Sequence, residues 1–213
     1  MLLNTLDKEI AVIDYGLTNL MSMLRMLEKA GLNARPITSH KDVLTAKKLI
    51  LPGIGSFDQG VNALRERGLF EAILEIGRAE TADILGVCLG MQLLMEGSDE
   101  GTSAGLGLIP GRCVRVVPPP NSMIRVPHVG WNRAKPIRQS KLFDGIAEEP
   151  RSRFYFVHSY YVACTDSRDV LAQTCHGFNF TSALQRGRLF GTQFHPEKSH
   201  RYGMMILKNF AEM

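Results

Sequence analysis

Two stretches of this chain carry residue types that could do chemistry together. In Asp83-Ile84-Leu85-Gly86-Val87-Cys88-Leu89-Gly90-Met91-Gln92-Leu93-Leu94, an apolar run turns at a cysteine that has a glycine two residues away on each side. This is the spacing of a nucleophile elbow, where glycine is needed because side chains would collide with the neighbouring strand and helix. Met91, Leu94 and Met95 recur at helical spacing, so Cys88 is expected at the N-terminal end of a helix, whose partial positive charge favours thiolate over thiol. Most intracellular cysteines are small inert hydrophobes; the paired glycines and the change from strand to helix set this one apart.

The second stretch is Phe190-Gly191-Thr192-Gln193-Phe194-His195-Pro196-Glu197-Lys198-Ser199. Read as an extended segment, it points His195 and Glu197 to the same side. The carboxylate can then hold one ring nitrogen while the other faces a substrate. Pro196 stiffens the arrangement. Cysteine, histidine and carboxylate together form a nucleophile, a base and an orienter.

The elements that must position these groups read as alternating strands and helices. Ile10 to Ile13 is a short apolar run, as in a buried parallel strand. Leu17, Leu20, Met21, Leu24 and Leu27 then keep helical spacing until Gly31, a stripe that reads as core. Asn33 to Ile37 and Lys47 to Leu51 are further strands, the latter running into Pro52-Gly53-Ile54-Gly55-Ser56-Phe57. Helices are expected over Gly60 to Arg67 and Leu69 to Arg78. This alternation implies a doubly wound, mostly parallel sheet, with ligands at the carboxyl ends of its strands. Gly53 and Gly55 fall at that edge, either as a tight turn or as a source of a backbone amide for a developing oxyanion. Neither Gly53-x-Gly55 nor Gly105-x-Gly107 completes a dinucleotide fingerprint, because Asp58 and Pro110 stand where the third glycine belongs.

After the elbow, Glu96 to Gly105 reads as a polar loop holding Asp99 and Glu100. From there the pattern shifts to short strands: Cys113 to Val117, Phe154 to Cys164, Val170 to Cys175, Phe180 to Gln185 and Leu189 to Phe194. Pro118-Pro119-Pro120 reads as a stiff surface turn. Ser199 is placed to cap a final helix with Met205, Ile206 and Phe210 inward.

The 213 residues, 45% hydrophobic and 22% charged, suit one sizeable α/β domain over residues 1–213. The formal charge of +4 is spread along the chain and forms no basic run of the kind that binds nucleic acid. Cys88, Cys113, Cys164 and Cys175 lack CxxC spacing, which fits reduced thiols in a cytoplasm. The opening, Leu2 and Leu3 followed by Asp7, Lys8 and Glu9, lacks the pattern of a secretory signal. No apolar run approaches the ~18 to 20 residues of a membrane span.

GVCLGMQLL and QFHPEKS together resemble the class I (triad) glutamine amidotransferases. PGIGSF (Pro52 to Phe57), RVPHVGWN (Arg125 to Asn132) and FYFVHSYYV (Phe154 to Val162) narrow the resemblance to the glutaminase subunits of imidazole glycerol phosphate synthase, over about Ile10 to Phe210. It implies a flavodoxin-like amidotransferase domain with extra antiparallel strands in its second half. By that resemblance Cys88, His195 and Glu197 hydrolyse glutamine, and the oxyanion is held by the Leu89 amide and one from Gly53-Ile54-Gly55. Gln92, Glu100, Ser159 and Tyr160 hold the substrate, and no metal or organic cofactor is called for. The ammonia passes to a (β/α)₈ cyclase in a heterodimer that makes imidazole glycerol phosphate and a purine-pathway carboxamide, AICAR, in histidine biosynthesis. Asn19, His128, Trp131, Tyr155 and Lys198 match positions at or near that interface. The other reading of Trp131, Tyr155 and Tyr161 is as core aromatics.

Two features depart from the pattern. Thr18 replaces the usual glycine of a DYGxGN signature, and a β-branched residue is ill suited to positive φ. KSHRYGM and the PPPNSMIRV region are similar to divergent copies that supply ammonia for surface-sugar amidination. Two further classes compete: a non-enzymatic α/β module with a decayed triad, and a thiol hydrolase or chaperone of the same architecture. The first sits poorly with a complete set of triad residue types. The second typically has histidine after the nucleophile, where this chain has Leu89.

Overall fold

Every residue of Ile10–Ile13 is apolar, and successive side chains of a strand face opposite ways, so this strand must be covered on both faces. The computed structural model, which describes residues 9–118 and 122–213, does so. The opening Leu2 to Lys8, and Pro119 and Pro120 of the expected proline turn, lie outside the described residues.

The first half contains β1 (Ile10–Ile13), α1 (Leu20–Lys29), β2 (Ala34–Ile37), α2 (His40–Thr45), β3 (Lys48–Gly53), α3 (Phe57–Glu66), α4 (Phe70–Arg78), β4 (Asp83–Cys88) and α5 (Leu89–Leu93). Next come β5 (Met95–Ser98), β6 (Ile109–Arg115), β7 (His128–Asn132), β8 (Lys135–Pro136), β9 (Phe154–His158), β10 (Tyr160–Cys164), β11 (Val170–Cys175), β12 (Asn179–Arg186), β13 (Leu189–Thr192) and α6 (His200–Ala211). The main sheet runs β2-β1-β3-β4-β13-β12-β10-β6-β5, with β11 and β8 branching from β12. It is parallel from β2 to β13 and antiparallel from β13 to β6. β7 and β9 form a separate antiparallel pair.

Period-two alternation divides the core in two. Ala11, Ile13, Leu49, Leu51 and Ile84 face Phe57, Val61, Leu64, Ile73 and Ile76 of α3 and α4. Ile10, Val12, Ile50, Leu85 and Val87 face Met23 and Leu27 of α1 and Ile206 and Phe210 of α6. Each fully buried aliphatic or aromatic side chain contributes about 1.5–3 kcal/mol, so both faces are strongly specified.

The structure corrects several expectations. The helix after Cys88 is only five residues long, and Met95 belongs to β5. The chain returning at residues 106–109 takes the carbonyls a longer helix would use: Leu106 N donates to Leu93 O, Leu108 N to Leu94 O and Gly107 N to Met95 O. Glu96 to Ser98 is therefore strand, and the loop begins at Asp99. The expected strand Phe154 to Cys164 breaks at Ser159 into β9 and β10, which lie in different sheets, because the Ser159 carbonyl accepts from Val116 N. α1 starts at Leu20, leaving Leu17 in the preceding loop. In that loop positive φ falls on Gly16 (+88°) and not on Thr18, so the β-branched residue is accommodated.

At the edge opposite the elbow, Asp83 accepts from Arg188 Nε at 2.9 Å and lies 3.4 Å from Lys48 Nζ, which also donates to Met213 O at 2.8 Å. Lys48 and Asp83 are 5% and 6% exposed, so their charges are compensated almost wholly by protein groups. This junction ties β3, β4 and the entry to β13, the strands that lead to the Gly53 segment, Cys88 and His195. Removing one member of a buried pair typically costs about 3–5 kcal/mol. Asp83→Ala should lower the unfolding free energy by about that much in urea titrations; a loss below about 1 kcal/mol would show that the junction does not hold these strands.

Candidate active site

Cys88 closes β4 with φ +54° and ψ −109°, a conformation that L-residues rarely adopt. It is forced by how closely α5 packs on the sheet. A Cβ on Gly90 would overlap the Leu51 carbonyl oxygen, and one on Gly86 would lie 2.6 Å from the Gly90 carbonyl oxygen. With both glycines in place the chain reverses within one residue and the sulfur emerges at the carboxyl ends of β3, β4 and β13. Leu89 is the first residue of α5, so its amide has no intrahelical partner.

His195 comes after β13 and is clamped through its backbone. Its N–H donates to Tyr155 O at 2.9 Å, and its carbonyl accepts from Ser199 Oγ at 2.6 Å. Ser199 Oγ also accepts from Tyr155 N at 2.9 Å. Ser199 thus precedes α6 but, contrary to the sequence expectation, makes no side-chain cap; its hydroxyl joins β9 to the histidine instead. Pro196–Lys198 is a 3₁₀ turn and not an extended segment. That turn brings Glu197 Oε1 to 2.7 Å from His195 Nδ1, so Nδ1–H is the donor and Nε2 is the free nitrogen. Burial lowers the imidazole's pKa, but the Cys88 and Glu197 charges outweigh it and hold His195 raised, at about 10. The Cys88–His195 attraction acts without a direct hydrogen bond between Sγ and Nε2, since Nε2 has no partner in this arrangement.

Cys88, His195, Gln92, Glu100 and the Ser159-Tyr160 turn line one cavity of about 390 Å³. A larger, more open depression of about 720 Å³ lies between Pro136 and Glu148 and contains none of these groups. In the smaller cavity Glu100 Oε2 accepts from Phe57 N at 2.8 Å, tying the loop after β5 to the start of α3. Gln92 Nε2 donates to Tyr160 O and Gln193 Oε1, both at 3.1 Å, so only its Oε1 is left to meet a ligand. The carbonyls of Ser159 and Tyr160 are likewise taken, and any backbone contact from that turn must be an N–H.

The glycine segment does not present three equivalent donors. Gly53 is enclosed: a Cβ there would overlap the Tyr15 hydroxyl and lie 2.9 Å from Leu89 Cβ. The Ile54 amide donates to Leu17 O at 2.9 Å, so it is already committed. Ile54 and Gly55 line the cavity, and Gly55 has φ +104°. Beneath them, the Tyr15 hydroxyl is buried with no hydrogen-bond partner among the described residues.

The family profile described as glutamine amidotransferase class-I matches residues 11–213. This chain belongs to that family. It is 45% identical over 204 residues to the imidazole glycerol phosphate synthase subunit HisH 2 of Pseudomonas aeruginosa, covering 96% of this chain and 99% of the relative. Identity is 40% over 205 residues to HisH of Leptospira interrogans (96% and 100% covered) and 43% over 203 residues to HisH 2 of Methanococcus maripaludis (95% and 98%). These matches place the chain among the glutaminase subunits of that synthase. The fold also matches PurLQS from Thermotoga maritima, with TM-score 0.72, 18% identity and 96% and 97% of the two chains covered. A crystal structure of a glutamine amidotransferase gives TM-score 0.67 at 17% identity, covering 93% of this chain and 98% of the other.

Among the residues that the resemblance places at a partner interface, Trp131 is 47% exposed and stacks on His200 at 5.0 Å, while Lys198 Nζ sits 5.7 Å from the Tyr155 ring centre. Asn19 is half-buried ahead of α1. His128 does not join this surface. It is buried, stacks on His176 at 4.1 Å, and its Nδ1 is 3.0 Å from His158 Nε2. Tyr161 packs inward against Phe178 at 5.3 Å.

Sequence reasoning missed Gln193 and His158. Gln193 Nε2 lies 3.7 Å from Cys88 Sγ, and His158 Nδ1 lies 2.9 Å from the Tyr160 carbonyl oxygen. The closeness of Gln193 to the paired His195 and Glu197 was the one available signal.

A non-glycine residue at such φ and ψ costs of order 1–3 kcal/mol. Cys88→Gly should therefore be more stable than Cys88→Ala by about 1 kcal/mol or more in thermal denaturation. Equal stabilities would show that the elbow carries no backbone strain.

Proposed function

We propose that this amidotransferase hydrolyses glutamine at Cys88, His195 and Glu197 and passes the ammonia to a cyclase partner. The observation that carries this reading is the buried 2.7 Å contact between His195 Nδ1 and Glu197 Oε1, on a ring that shares a 390 Å³ cavity with a strained cysteine. Against the lowering by burial, Cys88 and Glu197 hold the His195 pKa above that of a free imidazole, so the ring is suited to take the thiol proton of Cys88 as the reaction begins. The thiolate attacks the carboxamide carbon, and the oxygen's developing charge meets the Leu89 amide. His195 protonates the departing nitrogen, leaving a glutamyl thioester and ammonia. The now neutral Nε2 takes a proton from water, which attacks the thioester, and the sulfur leaves as glutamate forms. Glu197 keeps the ring oriented throughout.

Glu100 suits the α-ammonium of glutamine, together with Gln92 Oε1. The N–H groups of the Ser159-Tyr160 turn suit the α-carboxylate. At neutral pH free ammonia is mostly ammonium and not nucleophilic, so an acceptor must be waiting. The relatives are named as subunits of imidazole glycerol phosphate synthase; in our reading the acceptor is that synthase's cyclase, a (β/α)₈ barrel in a cytoplasmic heterodimer that yields imidazole glycerol phosphate and AICAR in histidine biosynthesis. It docks over the face where exposed Trp131 adjoins half-buried Tyr155 and Lys198, with half-buried Asn19 as a further contact. Several relatives bear numbered names, HisH 1 or HisH 2, as copies of one subunit do; with the KSHRYGM and PPPNSMIRV stretches this supports a second reading, a paralogue that supplies ammonia for surface-sugar amidination. Copurification of this chain with one or the other cyclase separates the two.

Cys88→Ala should abolish glutamine hydrolysis by the complex while synthesis driven by added ammonia survives, and Glu197→Gln should retain at least ~10-fold more activity than His195→Ala. Loss of the ammonia-driven reaction along with the glutaminase would refute the division of labour.

The committed Ile54 amide also sets the behaviour of the chain alone. A missing or misplaced oxyanion donor costs on the order of 10²–10³ in rate. Glutamine hydrolysis should therefore be slow for the isolated chain and rise by about 10²-fold or more with cyclase and acceptor ligand bound, as the segment turns an amide toward the cysteine. A rate already maximal for the chain alone would sink this account.

A further inference from the structure

The polar groups around the nucleophile form a chain of hydrogen bonds whose direction can be deduced. A carbonyl oxygen can only accept, so the atom of Gln92 facing Tyr160 O must be its NH₂. The second hydrogen of that NH₂ points at Gln193, which must therefore present its oxygen, at 3.1 Å. Gln193 then has no choice but to turn its own NH₂ toward Cys88 Sγ, at 3.7 Å. Flipping Gln92 would set its oxygen against two acceptors, and flipping Gln193 would set two donors against each other.

The Tyr160 carbonyl that starts this chain is fixed from a second side. His158 Nδ1 lies 2.9 Å from it and must donate, so a neutral His158 accepts at Nε2 from His128 Nδ1 at 3.0 Å. His128 Nε2 accepts in turn from Asn132 Nδ2 at 3.3 Å, and Asn132 also donates to Cys175 O. Burial holds His158 lowered to about 3 and His128 to about 4, so both rings are neutral and the sequence of donors is preserved at working pH. Gln193 itself is fully buried, and its backbone N–H is held by Ser182 O at 2.9 Å. It does not line the substrate cavity.

We propose that Gln193 is a fourth catalytic residue: its side-chain N–H, aimed by Gln92 and the Tyr160 carbonyl, donates to the Cys88 sulfur and holds it as a thiolate directed into the cavity. A donor to an ionised acceptor is about twice as strong as one to a neutral acceptor, so the contact favours thiolate over thiol. Three groups with different tasks thus surround the sulfur. His195 exchanges protons, the Val157 carbonyl 4.0 Å away can only accept from the thiol, and Gln193, at 3.7 Å, contributes a fixed dipole that does not titrate and favours the thiolate. Because the Tyr160 carbonyl belongs to the turn that forms the cavity wall, the wall that meets glutamine also sets the donor on the nucleophile. This inference rests on Cys88 being the nucleophile.

The test is alkylation of the intact chain by iodoacetamide between pH 5 and 10, followed at Cys88 by peptide mass so that Cys113, Cys164 and Cys175 do not contribute. Gln193→Met keeps the volume and removes both polar atoms. Gln193→Glu keeps the oxygen that faces Gln92 and places a carboxylate oxygen against the sulfur. Relative to wild type, Gln193→Met should be alkylated about 10-fold more slowly at pH 7, with its profile displaced to higher pH. Gln193→Glu should be displaced further. In the complex, kcat for glutamine should fall with KM unchanged. A folded Gln193→Met with the wild-type alkylation profile would overturn the proposal; should it not fold, a wild-type profile for Gln193→Glu would do the same. A wild-type Cys88 that reacts no faster than a free thiol would instead refute the nucleophile itself.

Discussion

The active centre depends on one close approach, that of Gly90 to the carbonyl of Leu51. No side chain fits between α5 and β3 at this point, so the helix lies directly against the strand and the chain must reverse at Cys88. The reversal places a non-glycine residue in a disfavoured backbone region, at a cost the surrounding sheet supplies through the fully buried faces of β3 and β4. It also delivers the sulfur, the first free amide of α5, and Gln92 one turn on, all to the same side. Three chemical requirements are thus met by one steric constraint, which is why the glycine spacing is so informative.

Around this rigid turn the polar groups are arranged by accounting for donors and acceptors, not by further packing. The His195 backbone is bonded on both sides by β9 and Ser199, so the ring's direction is set before its side chain makes any contact. Glu197 then fixes the tautomer. On the opposite side of the sulfur, the neutral imidazoles of His158 and His128 keep Tyr160 O pinned without adding charge. A buried network in which every member has its partner is rigid, whereas a partly satisfied one costs about 1–3 kcal/mol for each orphaned group. The centre therefore combines a charged half, at His195 and Glu197, with an uncharged half of amides, carbonyls and neutral rings.

What the sequence made legible follows from how local each feature is. The elbow and the His195-Pro196-Glu197 pairing each occupy a few consecutive residues, and the parallel sheet announced itself through runs such as Ile10–Ile13. The pairing was correctly placed although its backbone was misjudged: a 3₁₀ turn brings positions two apart together as an extended strand would. What stayed hidden depends on partners far along the chain. α5 stops at Leu93 because residues 106–109 take its carbonyls, and β9 separates from β10 because Val116 binds Ser159 O. Gln193 escaped because a buried glutamine in a strand-like apolar run has no spacing signature; its importance lies in Gln92, about a hundred positions earlier. The burial of His128 was hidden for the same reason, since only the fold shows that His158 and Asn132 receive it.

Among the described residues this accounting leaves His195 Nε2 and Glu197 Oε2 open beside the sulfur, and it does not close at the segment over the cavity either. Tyr15 is buried with an unpaired hydroxyl directly beneath Gly53, while the Ile54 amide just above is spent on Leu17 O. An unsatisfied buried hydroxyl costs about 1–3 kcal/mol, and losing one backbone hydrogen bond costs about 0.5–1.5 kcal/mol. The two terms are of similar size, so a rearrangement that gave the Tyr15 hydroxyl a partner at the expense of the Ile54–Leu17 bond would be nearly neutral. Gly53 and Gly55 remove the steric barrier that side chains would impose on a peptide rotation here. A partner needs only differential contacts of a few kcal/mol to shift such an equilibrium. On the proposed function the two sides of the sulfur differ in kind: the amides of Gln92 and Gln193 are fixed by their partners, and the Gly53-Ile54-Gly55 segment is the side on which a partner would act.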